Sequence, residues 1–526
     1  MGQSLIIACA TDAEILALAP LVASLKDKNP QNDLALLTYR EQQSTALLLQ
    51  DVDQVYIVED QKIKSFARNT IFSTGHAINV LWQNLLPLRQ QHWDELYNFQ
   101  EDEVSLALAS FIPAKTKFGL ALSSDHNLDY SSTWCFSSQF TYQGCPLLHR
   151  EDQIRLMANI TQYVAPLKIN FDPDNQSLAH EHFATLRHAT SGEDRRLVGI
   201  NLATLPSNIT DEHLIKLIEL LLDDGTLLPI LLGNKDPAIL ARLKNINQKF
   251  MNTLIAIQGQ SAALTAAIAE LDVLITSGPE YKTLISPHGR TIYINSHPRN
   301  LGHAPYHPED VVLSLQGGDF AENVLHALKN SREKLLAAEH DYAACQVSFS
   351  DEIGIYFQSV TKQPTGQDLG IMIGRYVLGK LLHLPVTRHE RIFAAAPEVL
   401  TDWIQQERIQ ILETTKTLLA ALRSLLRLQD NTKMGQEFTT QLAGLLACGE
   451  EEHLASLCCT IFKNQIENIP KAAKEDNIRQ IETLLYQLRD HLQISLNLLR
   501  EMEDHLAELK KDNYRNMVKE HLQEMK

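Results

Sequence analysis

Cysteine is scarce in this chain. Its 526 residues include seven cysteines, and no two of them are spaced as a CxxC pair. An odd number at irregular spacing does not fit a disulfide framework, and zinc fingers need paired cysteines at short intervals. The sequence therefore excludes both classes. The pattern is typical of a reducing compartment, and we expect a cytoplasmic protein.

Long apolar runs are also missing. A membrane-spanning helix needs about 18 or more apolar residues in succession. The stretches at residues 226–233 and 370–384 are too short or are interrupted by charge. The opening MGQSLIIACATDAE has no basic segment ahead of its apolar run, which a secretory signal would have. We expect neither a transmembrane segment nor a signal peptide.

Positive charge is in the minority. The chain has 47 Lys and Arg against 64 Asp and Glu, a formal net charge of −17. Such a balance disfavours broad electrostatic binding to nucleic acid, so no nucleic-acid partner is expected. The chain also lacks a phosphate-binding P-loop, a nucleophile elbow and a dinucleotide-binding glycine fingerprint. Kinase, hydrolase and dehydrogenase functions have no support here.

The first third of the chain alternates short apolar runs with amphipathic stretches. Strands are predicted at 5–10, 33–38 and 54–58 with helices between them, and this order is typical of a parallel sheet covered by helices. The alternation restarts at Leu197 after a polar connection. We predict an α/β fold of two doubly wound Rossmann-like domains facing a cleft, followed by an all-α region. The predicted boundaries are 1–168, 169–195 (connection), 196–330 and 331–526.

The last predicted helix carries a regular apolar stripe. Between Ile478 and Leu509, apolar residues recur at alternating intervals of three and four, with Ser495 the one polar member. That spacing fits a coiled-coil seam or one stripe of a helical bundle. Two interpretations stay open, namely an intramolecular bundle and self-association through residues 478–509. A second long helix, at 403–428, could pack against it.

Several segments, taken in order, are similar to one known family. They include AEILALAPL at 13–21, WDELYNFQ at 93–100, the His-x-x-acid segment at 149–156, LLGN at 231–234 and DVLITSGP at 272–279. Together they resemble the ADP-heptose:lipopolysaccharide heptosyltransferases of glycosyltransferase family 9, which have the two-domain GT-B fold. The resemblance covers about residues 1–330 and implies a nucleotide-sugar site in the cleft.

The chain departs from the family pattern at four places. Ala13-Glu14 replaces the usual Gly-Asp, and the Lys that normally follows the first strand of the nucleotide domain is missing from residues 203–210. Thr276 replaces an Asp, and Tyr281 replaces a His. The fold therefore matches the family more closely than the site does.

The resemblance implies a catalytic carboxylate in the first strand–helix turn. Glu14 holds the position of the family's Asp, and Asp12 lies two residues before it. A carboxylate there would take the proton of the acceptor hydroxyl. The alternative is purely structural: Glu14 would be an acid in the first turn of a helix, and Asp12 its N-cap.

The donor diphosphate needs N–H groups, hydroxyls or cations around it. Ser277-Gly278-Pro279 follows a predicted strand and would open a helix there. Five further residues are candidates for donor binding. Thr204, Ser207 and Ser296 would supply hydroxyls, Lys282 would supply a positive charge, and Gly233 ends a predicted strand. His297, His303 and His307 lack zinc-like spacing, so no metal and no cofactor are expected.

The expected function is inverting transfer of a heptose-type sugar from a nucleotide diphosphate donor, first of all ADP-heptose. The acceptor would be a lipopolysaccharide core, another glycan or lipid-linked acceptor, or a protein, which would place the enzyme at the periphery of the inner membrane. A third option is a GT-B enzyme that uses another nucleotide sugar. The competing class is a catalytically degenerate binding or scaffold protein that acts through its helical C-terminal region.

Overall fold

The structure is a computed structural model of the whole chain. It describes residues 2–68, 73–122, 128–131, 140–161, 169–188, 195–234, 236–258, 262–278, 289–307, 309–314, 319–337, 342–361, 363–387, 390–427, 432–449, 453–467, 469 and 474–524. The chain divides into two compact units. The first comprises residues 1–137, 149–350 and 354–360, and the second comprises residues 138–148, 351–353 and 361–526.

The first unit opens with a six-stranded sheet in the order β3-β2-β1-β4-β5-β6. All neighbouring strands are parallel except β5 and β6. Leu5, Ile6 and Ile7 of the central strand are buried, as expected where helices cover both faces of a parallel sheet. The strands are β1 (Gln3–Ile7), β2 (Asp33–Tyr39), β3 (Gln54–Val58), β4 (Trp93–Asn98), β5 (Ala114–Leu122) and β6 (Leu128–Tyr130).

The predicted helix after β1 is divided into two. The second part begins at Ala19 with Pro20 in its first turn, where the missing N–H of proline leaves no helical hydrogen bond unmade. The helices of this part of the chain are α1 (Asp12–Leu16), α2 (Ala19–Lys28), α3 (Gln43–Ala46), α4 (Asp60–Arg68), α5 (Ser73–Gln90), α6 (Glu103–Phe111) and α7 (Arg150–Met157). Between α6 and α7 lies a short hairpin of β7 (Thr141–Tyr142) and β8 (Cys145–Pro146).

The predicted connection contains a helix, α8 (Pro173–His188), that packs on the second sheet through buried Phe183. That sheet has the order β11-β10-β9-β12-β13-β14-β15-β16 and is parallel from β11 to β14. Its strands are β9 (Arg196–Asn201), β10 (Leu227–Gly233), β11 (Ile255–Gln258), β12 (Val273–Thr276), β13 (Arg290–Asn295), β14 (Val311–Ser314), β15 (Tyr342–Ser350) and β16 (Ile355–Val360). Its helices are α9 (Asp211–Asp223), α10 (Pro237–Lys249), α11 (Ala262–Ala269), α12 (Phe320–Lys329) and α13 (Arg332–Ala337).

Two doubly wound sheets are confirmed, but the prediction that residues 331–526 are helical throughout is wrong at its start. Strands β15 and β16 add antiparallel to β14 and extend the second sheet. Cys345, Val347 and Val360 join the apolar core of that sheet. Strand β15 pairs with β14, which lies well before it in sequence, whereas β16 pairs with β15 across a short turn. The hairpin is therefore a local signal in the apolar runs at 342–360, and only its addition to the second sheet depends on a distant strand.

The second unit is helical. Its helices are α14 (Gly366–Leu381), α15 (Pro397–Leu426), α16 (Thr432–Cys448), α17 (Leu454–Glu467) and α18 (Lys474–Glu524). Helix α18 packs on α15 and α17. Leu485, Leu492, Ser495 and Leu499 of its apolar stripe are buried. From Leu485 to Leu506 the stripe is thus covered by helices of the same chain, which is the bundle interpretation, whereas Ile478 at its start is exposed.

The β7–β8 hairpin belongs to this helical unit, whereas the sequence placed it in the first domain. The Tyr142 ring packs against Gly370, where a Cβ atom would lie 1.8 Å from the ring. The buried Arg375 guanidinium donates to both carboxylate oxygens of Asp351 and to the Leu147 carbonyl. These contacts hold segments distant in sequence against α14. No helix among the described residues is both long and apolar enough to cross a membrane.

Candidate functional site

The second sheet reverses its winding between β9 and β12. From β9 the chain proceeds to β10 on one side, and from β12 it proceeds to β13 on the other. Such a switch point leaves a crevice at the carboxyl ends of the two strands, where open α/β sheets bind ligands. The strand ends here are Asn201 and Thr276, and both residues are buried.

Polar side chains from the two strand ends form one network. The Thr204 and Thr276 hydroxyl oxygens lie 2.8 Å apart. The Asn201 amide donates to Thr276 Oγ1 at 3.3 Å, and Asn201 Oδ1 accepts from the Ala203 amide at 3.2 Å. The loop after β9 is thereby fixed to the end of β12. Thr276 stands where the resembling family has an Asp, so the network carries no charge.

The backbone amides that follow β12 are held by the same hydroxyls. Ser277 N donates to Thr204 Oγ1 at 3.3 Å, and Gly278 N donates to Thr276 Oγ1 at 3.2 Å. The Ser277 Oγ atom is buried and has no hydrogen-bond partner among the residues that the structure describes. A buried hydroxyl without a partner costs free energy and calls for an explanation, which a bound ligand would supply. The structure therefore brings Thr204, Ser277 and Gly278 together at one strand end.

The other donor-side predictions fare differently. Gly233 ends β10, and a Cβ atom there would lie 3.2 Å from Leu243 Cδ1, so close packing of α10 explains this glycine. Ser207 and Ser296 are exposed; Ser296 accepts from the Asn300 amide, and no described contact joins either serine to the Thr204–Thr276 network. Pro279 and Lys282 lie outside the described residues.

The first strand–helix turn contains the two predicted catalytic carboxylates. Glu14 Oε2 accepts from the Thr11 amide and from the Thr11 hydroxyl, both at 3.0 Å, while Thr11 Oγ1 accepts from the Glu14 amide. This is a capping box, in which the acid at the third helical position caps the N-terminus. The N-cap is Thr11, so the structural alternative that made Asp12 the N-cap is wrong. Asp12 instead accepts from the Thr45 hydroxyl at 2.7 Å.

A cation that the sequence analysis did not select lies near this turn. Arg150, at the start of α7, donates to Gln153 Oε1 at 3.0 Å and to the Phe99 carbonyl just after β4. Burial lowers the pKa of its guanidinium, and the carboxylates of Glu14 and Glu151 raise it. Strands β1 and β4 are the switch point of the first sheet. Arg150 thus adds a positive charge to the crevice that contains Glu14.

The acid of the His-x-x-acid segment, Asp152, lies in a buried cluster of hydrogen bonds. Asp152 is fully buried; its Oδ1 accepts from Tyr306 Oη at 2.6 Å and from Arg155, and its Oδ2 accepts from the Ile355 amide at 2.9 Å. Burial raises the pKa of the Asp152 carboxyl. A Cβ atom on Gly354 would lie 1.9 Å from Asp152. This cluster fixes α7 to segments of the second sheet.

No protein-family model matches this chain, and neither does any curated protein. Solved structures with similar backbones include a glycosyltransferase of family 9 from Veillonella parvula (13% identity, 62% of this chain and 88% of that chain, TM-score 0.47). They also include the E. coli heptosyltransferase WaaC with ADP (15% identity, 62% of this chain and 99% of that chain, TM-score 0.44). A third is the UDP-GlcNAc 2-epimerase of Neisseria meningitidis bound to UDP-GlcNAc (11% identity, 62% of this chain and 90% of that chain, TM-score 0.34). Because every one of these TM-scores is below 0.5, the fold assignment rests on the strand order itself.

Proposed function

We propose that this chain is a glycosyltransferase that binds a nucleoside diphosphate sugar at the β9–β12 switch point. The observation that carries the proposal is the strand end at Thr276–Gly278. There the Ser277 hydroxyl, which has no partner in the described part of the chain, and the network of Thr204 and Thr276 lie at one crevice. A diphosphate is a natural ligand for hydroxyls and backbone amides at such a place.

The proposed reaction is an inverting displacement. The acceptor oxygen attacks C1 of the sugar as the bond between C1 and the diphosphate oxygen breaks, and the acceptor proton passes to a carboxylate. Glu14 is the proposed base, since its Oε1 is not the atom that accepts from Thr11. The nucleoside diphosphate leaves with its charge stabilised by hydrogen bonds from the hydroxyls of Thr204 and Ser277.

The sugar and the acceptor complete the proposal. In keeping with the resemblance, we propose ADP-heptose as the first donor to try and a lipopolysaccharide core or a protein as acceptor. Arg150 would place an anionic group of the acceptor beside Glu14, since its guanidinium is a bidentate donor in a partly buried crevice. No metal is part of the proposed mechanism. Lys282 and Ser296 remain proposed donor contacts.

The test is calorimetric titration of the full chain with ADP, UDP and GDP. Micromolar binding of one of them, weakened about tenfold by Ser277→Ala, would support the proposal, because the serine hydroxyl contributes a hydrogen bond to a charged group. Ser207→Ala is the matched control and should leave the affinity unchanged. Binding that is indifferent to Ser277→Ala would place the nucleotide elsewhere. Absence of binding by all three would contradict the proposed donor class.

One observation favours the alternative of a catalytically degenerate scaffold protein. Both hydrogen bonds that Thr11 donates to Glu14 are typical of a helix cap, a role that does not need catalysis. Under this alternative the helical unit would carry the function. A protein that binds nucleotide but releases no nucleoside diphosphate from any sugar donor, in the presence of candidate acceptors, would fit it.

A further inference from the structure

Helix α15 carries an apolar stripe on its outer side. Ile409, Leu412, Leu419 and Leu426 are 55%, 45%, 41% and 65% exposed. The opposite side of the same helix is buried in the bundle through Ile411, Leu418 and other residues. Among the described residues, no element of the chain covers the outer stripe. Scattered exposed apolar residues are common, but four on one line of one helix are a patch.

The stripe has the spacing of a coiled coil. Together with Gln405, Lys416 and Arg423, the four apolar residues occupy positions separated alternately by four and three residues. Here this set of seven positions is called the outer seam. It extends over three heptads. Leu412, Leu419 and Leu426 are seven residues apart and therefore occupy the same heptad position. This repeat is distinct from the stripe of α18, which the bundle buries.

The charges on the outer seam determine which way a second helix could lie. Glu398 and Asp402 are exposed near the start of α15, and Arg423 and Arg427 are exposed at its end. In a parallel pair Lys416 would face Lys416 of the second copy, and Arg423 would face Arg423 of the second copy. Like charges brought together in this way oppose association.

An antiparallel pair removes this conflict. With Ile409 layered on Leu419 of the second copy, Lys416 lies on Leu412 and next to Glu413 of the second copy. In the same register the basic end of each helix meets the acidic first turns of the other. The outer seam is therefore complementary to itself when its direction is reversed, which is the property of an interface with two-fold symmetry.

We propose that a second copy of this chain docks antiparallel along the outer seam of α15. The two copies would bury Ile409, Leu412 and Leu419 in the middle layers, and Leu426 would lie at each end of the seam, at the level of Asp402 of the other copy. This interface differs from the self-association through residues 478–509 that the sequence left open, because the stripe of α18 is buried within the chain from Leu485 to Leu506. It is also independent of the proposed glycosyl transfer.

The test is sedimentation equilibrium of the full chain. We expect a reversible dimer, and Leu419→Glu should raise its dissociation constant at least about tenfold because it puts a charge in the centre of the seam. Circular dichroism should show a folded protein, since the side chain is exposed. The matched control is Ile478→Glu, an equally exposed apolar residue on α18 that should leave the dimer unchanged.

Lys416→Glu tests the direction of pairing. In the antiparallel dimer it places two acids side by side and should weaken association several-fold, and adding Glu413→Lys should restore it. In a parallel dimer the two substituted side chains at position 416 would face each other as like charges, so adding Glu413→Lys would not restore association, and that result would overturn the proposed geometry. A full chain that stays monomeric at about 100 µM, or a dimer that survives Leu419→Glu, would overturn the proposed interface.

Discussion

Gly278 and Thr204 pack so closely that a Cβ atom on Gly278 would lie 2.4 Å from Thr204 Cγ2 and 2.9 Å from Thr204 Cβ. Real Cβ atoms are not found at such distances from a neighbouring carbon. Because Thr204 also holds the Thr276 hydroxyl and the Ser277 amide, any shift of Thr204 disturbs the whole crevice. The glycine after β12 is thus a requirement of the candidate site.

Gly278→Ala should lower both stability and nucleotide affinity. Overpacking of this kind costs about 1–3 kcal/mol, measurable as a shift of the urea midpoint, and the displaced Thr204 should weaken nucleotide binding in calorimetry. Thr204→Ser, which lacks the clashing methyl, should recover part of the loss in the double variant. Gly366→Ala is the control, because a Cβ atom there meets no atom within 4 Å. Equal effects of the two alanines would refute the packing argument.

Glu14 can be tested for capping and for catalysis separately. Glu14→Ala removes the acid of the capping box and should cost about 1 kcal/mol of unfolding free energy. Glu14→Gln keeps a side-chain oxygen for the Thr11 amide, so its stability should stay within about 0.5 kcal/mol of the parent. If Glu14 is also the base, Glu14→Gln should nevertheless abolish sugar transfer. Transfer at the parent rate by Glu14→Gln would remove Glu14 from the mechanism.

Substitutions at the buried Asp152 should lower the unfolding free energy of the first unit more than most others. Tyr306→Phe deletes one hydrogen bond to this carboxylate, and we expect a loss of about 1–2 kcal/mol. Asp152→Ala should cost more, about 3–5 kcal/mol, because Arg155 loses this carboxylate while buried. Tyr56→Phe is the control, since among the described residues its hydroxyl bonds to the neutral side chains of exposed Gln54 and half-buried Gln91. Urea unfolding measures all three; a neutral Tyr306→Phe would contradict this account.

The second unit should show a pH dependence that originates at Glu407. Its carboxylate accepts from Tyr142 Oη at 2.7 Å and from the Leu454 amide at 2.8 Å. Burial raises the pKa of this carboxyl, an effect that those two hydrogen bonds oppose. A folded pKa above the unfolded one means that stability is fully present below about pH 4.5 and is lost as the pH rises through the folded pKa.

Glu407→Gln isolates that contribution. The amide does not titrate, so the unfolding free energy of the parent minus that of the variant should fall as the pH rises from about 4 toward neutrality. Urea titrations followed by tryptophan fluorescence at several pH values give this difference. A difference that grows with pH would show that the hydrogen bonds to the carboxylate outweigh its burial.

Much of the α/β architecture could be predicted from the sequence. Buried parallel strands are continuous apolar runs, as at residues 197–201, and Thr210 marks the start of α9 because its side chain caps the helix. These are local signals, and local chemistry produces them. For the same reason the sequence located Ser277 and Gly278 at a strand end.

The tertiary structure decided what depends on distant partners. Strand β15 joins the second sheet because β14 offers an edge, and Tyr142 joins the helical unit because Trp403 and Glu407 bond its hydroxyl. The stripe of α18 could be assigned to a bundle only when α15 and α17 were found to cover it. Arg150 became a site candidate only when folding placed it at the Phe99 carbonyl. The sequence determined most strands and helices of the two sheets, while packing between distant segments determined which polar groups meet.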